Sequence, residues 1–208
     1  MDITRRTRSL SHEKTDATKH SILNAALTLF LNNGFSKTTI RDISHSSNLS
    51  VGTIYRYFSK KEDIFEEIAR MMVNERHMVF QAGILANDQK VYEFLLNHFD
   101  KVIDSFSSSG REGVAQLILK ESQHNPELRK IYFNVMFSPY LIELEKLVSI
   151  ASERKEIILR CTAFEFSLLI LSPIWMAMIY NSSLSEGTIV SIKNLFNSNL
   201  YALFNAKD

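Results

Sequence analysis

Apolar residues recur at helical spacing through most of the chain, and the gaps between the runs carry residues that start or stop helices. From Ser21, Ile22, Ala26, Leu29 and Phe30 mark one face of a first helix, which Asn33-Gly34 ends because glycine enters the left-handed region cheaply. Thr39 with Asp42 three residues later predicts a capped second helix, turned inward by Ile40 and Ile43. Ser44 and Ser47 are small enough for a close crossing. Asn48 suits a sharp turn, and Ser50 is a fair cap for a third helix over 51–58 anchored by Ile54 and Phe58. Ser59-Lys60-Lys61-Glu62 then has the spacing of a capping box opening a fourth helix.

The fourth helix carries the stripe Ile64, Phe65, Ile68, Met71 and Met72, and its pattern extends to about Ala86. Further helices are predicted over about 91–106 and 112–122, and another from Asn125-Pro126-Glu127, where asparagine caps and proline fills the first position. Pro139 predicts a kink or a loop in that helix. Two more, about 156–180 and 188–205, close the chain. About nine helices and no convincing strand define an all-α fold. Three prolines and six glycines against fourteen phenylalanines agree with long helices rather than a turn-rich β fold.

The third helix offers hydroxyls and a guanidinium on its polar face: Thr53, Tyr55, Arg56 and Tyr57. Gly52 lets backbone approach a phosphate closely, and Lys61 adds a cation. A helix, a tight turn and a second helix of this kind place the second helix in a major groove while the first crosses the backbone. Charge supports the same reading. Residues 1–61 hold ten basic and four acidic side chains, a net +6, whereas the remainder holds fourteen against nineteen, a net −5. Residues 1–14 lack periodicity and contain Arg5, Arg6 and Arg8, which predicts a flexible basic arm able to lie along a minor groove.

Gly34-Phe35, the run IRDIS at 40–44 and the run LSVGTIYRYFSKKEDIF at 49–65 resemble the N-terminal domain of the tetracycline-repressor (TetR/AcrR) family of bacterial transcription regulators. The resemblance covers about residues 15–70. Asn48 stands where glycine is frequent, Val51 where lysine is frequent, and Ser44 and Ser47 where alanines are frequent. It implies a DNA-binding domain over 15–61, with its helix-turn-helix at about 39–58, and a ligand-binding and dimerisation domain over 62–208. The matching DNA-contacting positions are Thr39, Ser50, Val51, Gly52, Thr53, Tyr55, Arg56, Tyr57 and Lys61, with one phosphate contact fewer for want of a lysine at Val51.

The resemblance further implies a homodimer on a palindromic double-stranded DNA operator, released by a small-molecule effector, with repression as the usual mode. An inducer held between the middle helices would meet Phe99, Phe106, Tyr132, Phe133, Phe137, Phe164 and Trp175, with Tyr132, His98 or Gln116 for orientation. Those aromatics equally suit a plain core. An apolar or amphipathic effector is expected. The stripes at Phe166 and Ile170, and at Ile189, Ile192, Phe196, Leu200 and Leu203, would pack against a partner's; they are equally consistent with intramolecular core.

Other classes fit less well. Six dispersed histidines, a lone Cys161 in an apolar run and no phosphate-cradling glycine loop predict no enzyme, no metal and no cofactor. A helical interaction module that never touches DNA sits badly with the +6 head. The polar N-terminus shows no signal peptide, and the fifteen apolar residues 166–180, interrupted by Pro173, fall short of the ~20 that span a bilayer. A cytoplasmic protein without a membrane partner is expected.

Overall fold

The computed structural model describes residues 3–74, 81–106 and 110–205, and all regular structure among them is helical. The helices are α1 (Ile3–Asn33), α2 (Ile40–Ser47), α3 (Val51–Tyr57), α4 (Lys61–Asn74), α5 (Val91–Asp104), α6 (Arg111–Glu121), α7 (Pro126–Tyr132), α8 (Ser138–Glu153), α9 (Ala163–Ile179) and α10 (Ile192–Phe204). The chain divides into two compact units. A head comprises Met1–Met71 and Leu117–Tyr132, and a body comprises Met72–Gln116 and Phe133–Asp208. The head is therefore larger than residues 15–61. Ile64, Phe65 and Ile68 of α4 and Leu128 of α7 are buried within it, so both segments complete its core.

In the head, α1 packs on α2 and α2 on α3. Phe30, Phe35 and Phe65 meet there with ring centroids 5.0, 5.7 and 6.3 Å apart. In the body, α9 lies between α8 and α10, and α5 packs on α10 and α8 around Leu95, Phe99, Leu144, Leu147, Ile170 and Phe196. Two carboxylates pin loops within this unit: Glu143 accepts from the Ala82 N–H at 2.8 Å and Glu156 from the Val91 N–H at 2.8 Å.

Several predicted boundaries move, each for a local reason. Residues 3–14, expected as an arm, continue α1 as helix; no glycine or proline interrupts 1–33, so nothing stops propagation from the packed part. The fourth helix is described as far as Asn74, and it does not reach Ala86. Residues 75–80 lie outside the described residues, Gln81 is extended, and Ala82–Ile84 form a single tight turn. The helix expected from about 156 begins at Ala163. Ahead of it, Lys155 at φ 58° and the Glu156 N–H bonded to Ala151 O close α8, and Thr162 with Glu165 forms a reciprocal capping box for α9. The last helix starts at Ile192, with Ser191 accepting from the Asn194 N–H. Near Pro139 the structure does depart from a regular helix: Phe133–Phe137 widen into a π-helical turn before α8.

The length argument about a membrane span also changes. Helical conformation runs without a break over Ala163–Leu184, 22 residues and long enough to cross a bilayer. One side of this run is packed within the body, where Phe166, Ser167, Ile170, Ile174, Ala177 and Met178 are buried.

Candidate nucleic-acid interface

The helix-turn-helix is built by side chains that satisfy its own backbone. Thr39 Oγ1 accepts from the Asp42 N–H while Asp42 Oδ2 accepts from both the Thr39 N–H at 2.8 Å and the Thr39 hydroxyl at 2.7 Å. Those two bonds from Thr39 hold the Asp42 carboxyl below the ordinary aspartate range. A carboxyl whose pKa is lowered by folding stabilises the fold while ionised, so its contribution is complete above the ordinary range and is lost as pH falls through the lowered value. Asp42→Asn should accordingly lower the thermal midpoint at pH 7, with the gap to wild type closing in acid. A gap that persists unchanged at acid pH would refute the assignment.

Asn48 takes the left-handed turn at φ 55°, and its N–H returns to His45 O. The Ser44 hydroxyl donates to Leu49 O at 2.5 Å and ties the turn, while the Ser47 hydroxyl donates to Ile43 O at 2.7 Å within α2. Ser50 caps α3 by accepting from the Thr53 N–H at 3.0 Å. Ile54 and Phe58 are buried, which leaves the rest of α3 facing outward. Tyr55 is 54% exposed, an unusual state for a large ring, and Arg56 is exposed with its guanidinium 5.8 Å from the Tyr57 ring centroid. Gly52 is exposed; a Cβ there would meet only Ser50 Oγ, at 3.8 Å, so no internal crowding demands glycine. Ser50 and Thr39 are exposed too, while Val51, Thr53 and Tyr57 are half-buried.

Lys61 sits differently from the other predicted contacts. Its ammonium donates to Phe35 O at 2.5 Å and Thr38 O at 2.8 Å and lies 4.3 Å from the Phe35 ring centroid. Burial draws its pKa down. The start of α4 is likewise capped by a different carboxylate from the expected Glu62: Asp63 accepts from the Ser59 and Lys60 N–H groups at 3.1 Å each. Lys60 pairs with Glu127, a bond that raises the lysine's pKa.

Sequence reasoning missed the group on the other side of the same turn. Glu121 Oε1 accepts from the Phe35 N–H at 2.7 Å, and Oε2 accepts from the Ser36 N–H at 2.8 Å and the Ser36 hydroxyl at 2.5 Å. Gly34 permits this approach, since a Cβ at its φ of 90° would lie 2.6 Å from Glu121 Oε1. No local pattern announces a partner 86 residues away.

The predicted effector residues do not form one group. Phe99 is buried, tilted against Phe196 with ring centroids 4.4 Å apart and edge-on to Tyr140 at 5.8 Å. Phe106, Phe137 and Trp175 are partly buried against the same core, with Phe137 and Trp175 6.4 Å apart. Phe133 and Phe164 stay 49% and 46% exposed: Phe133 opens the π-helical turn, and Phe164 occupies the outward side of the first turn of α9. Tyr132 belongs to the head, and burial pushes its phenol up beyond the usual range. The polar pair inside the body's aromatic cluster is instead His98 Nε2 and Tyr140 Oη, 2.8 Å apart.

Most of the predicted dimer stripe takes the other place that its pattern allowed, the intramolecular core. Phe166, Ile170, Phe196 and Leu200 are buried in the body's own core, with Ile192 and Leu203 packed against it. Ile189 is 70% exposed in the extended approach to α10. The two helices spend that face on each other, because a lone subunit must bury one apolar side of each. Their other side carries Phe164, Leu168, Leu169 and Met176 on α9 and Leu195 and Tyr201 on α10, all exposed.

A short inner-anchored helix presented beyond a sharp turn, on a basic head, defines a helix-turn-helix DNA-binding unit. Residues 22–68 match the family described as bacterial regulatory proteins, tetR family. Among curated proteins, the chain is 30% identical over 95 residues to the HTH-type transcriptional regulator YfiR of Bacillus subtilis, covering 46% of this chain and 45% of that one. It is 26% identical over 125 residues to the HTH-type transcriptional repressor KstR2 of Rhodococcus jostii, covering 55% and 61%. The chain thus spans about half the length of the curated relatives it matches. In fold it resembles the transcriptional regulator FadR of Bacillus subtilis, solved with stearoyl-CoA, with a TM-score of 0.69 at 23% identity over 89% of this chain and 97% of that one. Residues 22–68 thus carry the DNA-binding region of the tetR family, and the fold of the chain resembles that of a solved transcriptional regulator.

Proposed function

We propose that the protein is a homodimeric repressor whose paired α3 helices read a palindromic operator and whose body binds an effector that releases it. The observation that carries this reading is the outward face of α3, where Tyr55, Arg56 and Gly52 stand exposed while Ile54 and Phe58 fix the helix from below. Thr39 and Ser50 flank that face, and Val51, Thr53 and Tyr57 border it. Base edges would be read by the side chains of α3, and phosphates by Arg56, the hydroxyls and the approach open at Gly52. Lys61 acts on DNA through the turn it ties down.

One recognition helix reads a half-site, so two-fold pairing supplies the second. The exposed row on α9 and α10 is the surface available for it. For the effector, the aromatic cluster with the His98–Tyr140 pair suits an amphipathic molecule with a long apolar part, and the FadR neighbour was solved with such a compound. Such a ligand acts by binding unequally to dimers that fit successive major grooves and dimers that do not. The work is done where the genome is, in the cytoplasm.

The test is a footprint of the purified protein on DNA upstream of its own gene at two salt concentrations. A protected palindrome whose affinity falls steeply with salt is expected, because neutralised phosphates release counterions. Tyr55→Ala should weaken specific binding about tenfold, the scale of one good contact, with the dimer intact. Salt-independent binding, or unchanged affinity in that variant, would remove the proposed reading face.

A further inference from the structure

We infer that Glu121 is a positioning residue for DNA reading: its carboxylate sets the α1–α2 turn, and through it the entry of α2. The inference rests on the regulator reading above. The turn over 34–38 leaves α1 with donors and acceptors that no helix satisfies. Three donors, the N–H groups of Phe35 and Ser36 and the Ser36 hydroxyl, converge on the two oxygens of Glu121. Two acceptors, Phe35 O and Thr38 O, take the Lys61 ammonium. The Thr38 hydroxyl donates to Gly34 O at 2.8 Å and closes the loop on itself. One anion and one cation, neither of them on the helices that the turn joins, therefore fix it from two sides.

The turn ends at Thr39, whose N–H and hydroxyl are committed to Asp42 within α2. The Lys61 side of the clamp holds Thr38 O, next to the cap of α2, and the Thr38 N–H returns to Phe35 O at 3.3 Å, so the turn that Glu121 grips is tied to the start of α2. The site also asks for a charge. An anion accepts all three bonds, whereas an amide in the same place would turn an NH2 donor towards donors. Gly34 shows that the approach is specific, since any side chain there meets Glu121 Oε1.

Glu121→Gln keeps the shape and removes the charge. Specific operator affinity should fall about tenfold, the scale of a charge-assisted hydrogen bond, while affinity for unrelated DNA of equal length stays within about twofold. The Phe35 and Ser36 amides should exchange faster with solvent. Ser36→Ala, at an exposed position that threatens no core, removes one donor from the opposite side. It should lose less, and the double variant should lose less than the two singles multiplied together. A stabilising role alone would lower the thermal midpoint without changing the ratio of specific to non-specific affinity in the folded protein. That unchanged ratio, or strict independence of the two substitutions, overturns the inference. A wild-type protein that binds no DNA overturns the regulator reading with it; bound wild type and unaffected Glu121→Gln overturn this inference alone.

Discussion

Replacing Leu168 and Met176 together by glutamate should split the proposed dimer and lower operator affinity about 100-fold or more, while far-ultraviolet circular dichroism stays unchanged. Both side chains lie on the outward side of α9, two turns apart, beside Phe164 and Leu169. Large side chains gathered on one helix face leave an apolar patch that water disfavours, and a second copy is the self-complementary cover that the proposed palindromic operator would require. Glutamate is a good helix former, and the two side chains are 37% and 50% exposed, so the subunit keeps its fold through the exchange. Two negative charges brought against their own copies across a two-fold axis would oppose association. The loss on DNA is large because the second half-site is no longer bound at the high effective concentration that the dimer provides. Phe166→Glu offers the contrast: it lies on the inner side at 4% exposure and should unfold the body rather than split a dimer. Sedimentation and operator titration decide the matter. A double variant that remains dimeric and binds as wild type would show that this face is not the interface.

The head was legible from its sequence because each of its turns uses a local device. Gly34 at φ 90°, the Thr39–Asp42 box, Asn48 at φ 55° and the Ser50 cap all act within a few residues of themselves, and all stand as the spacing indicates. Periodicity placed Ile43, Ile54 and Phe58 correctly for the same reason. What failed needed partners remote in the chain. Glu121 grips a turn 86 residues earlier, and residues 117–132 join the head although the body segment Met72–Gln116 separates them from the rest of it. On α9 and α10 the apolar residues cover more than one face, so periodicity could not say which side a subunit keeps for itself. It keeps Phe166, Ile170, Phe196 and Leu200. The pocket expectation strained on register. The π-helical turn at Phe133–Phe137 rotates the following residues relative to a regular helix, so aromatics spaced as one group end on different sides.

Phe65→Ala should cost the head about 3–5 kcal/mol, the range for deleting a buried ring, and abolish operator binding near physiological temperature. Phe65 is 1% exposed and meets both Phe30 and Phe35 edge-on, and those two rings are themselves fully buried. The neighbours cannot collapse into the gap without moving what they hold. Phe30 lies near the end of α1, and Phe35 is the turn residue whose carbonyl and ring face the Lys61 ammonium. A cavity at 65 therefore loosens the same turn that Glu121 clamps from outside, and α2 with it. Domains of this size hold only about 5–15 kcal/mol in all, so the loss leaves the head marginal. The body has its own core, built from residues such as Leu95, Leu144, Ile170 and Phe196. Hydrogen exchange should consequently show the amides of Ile43 and Ile54 losing protection while those of Leu144 and Phe196 keep theirs. Phe65→Leu, which refills most of the space, should recover much of the stability and most of the DNA binding. Equal loss of protection in both units would mean that the two cores melt as one, and full protection in the head would mean that the three rings contribute little to holding it.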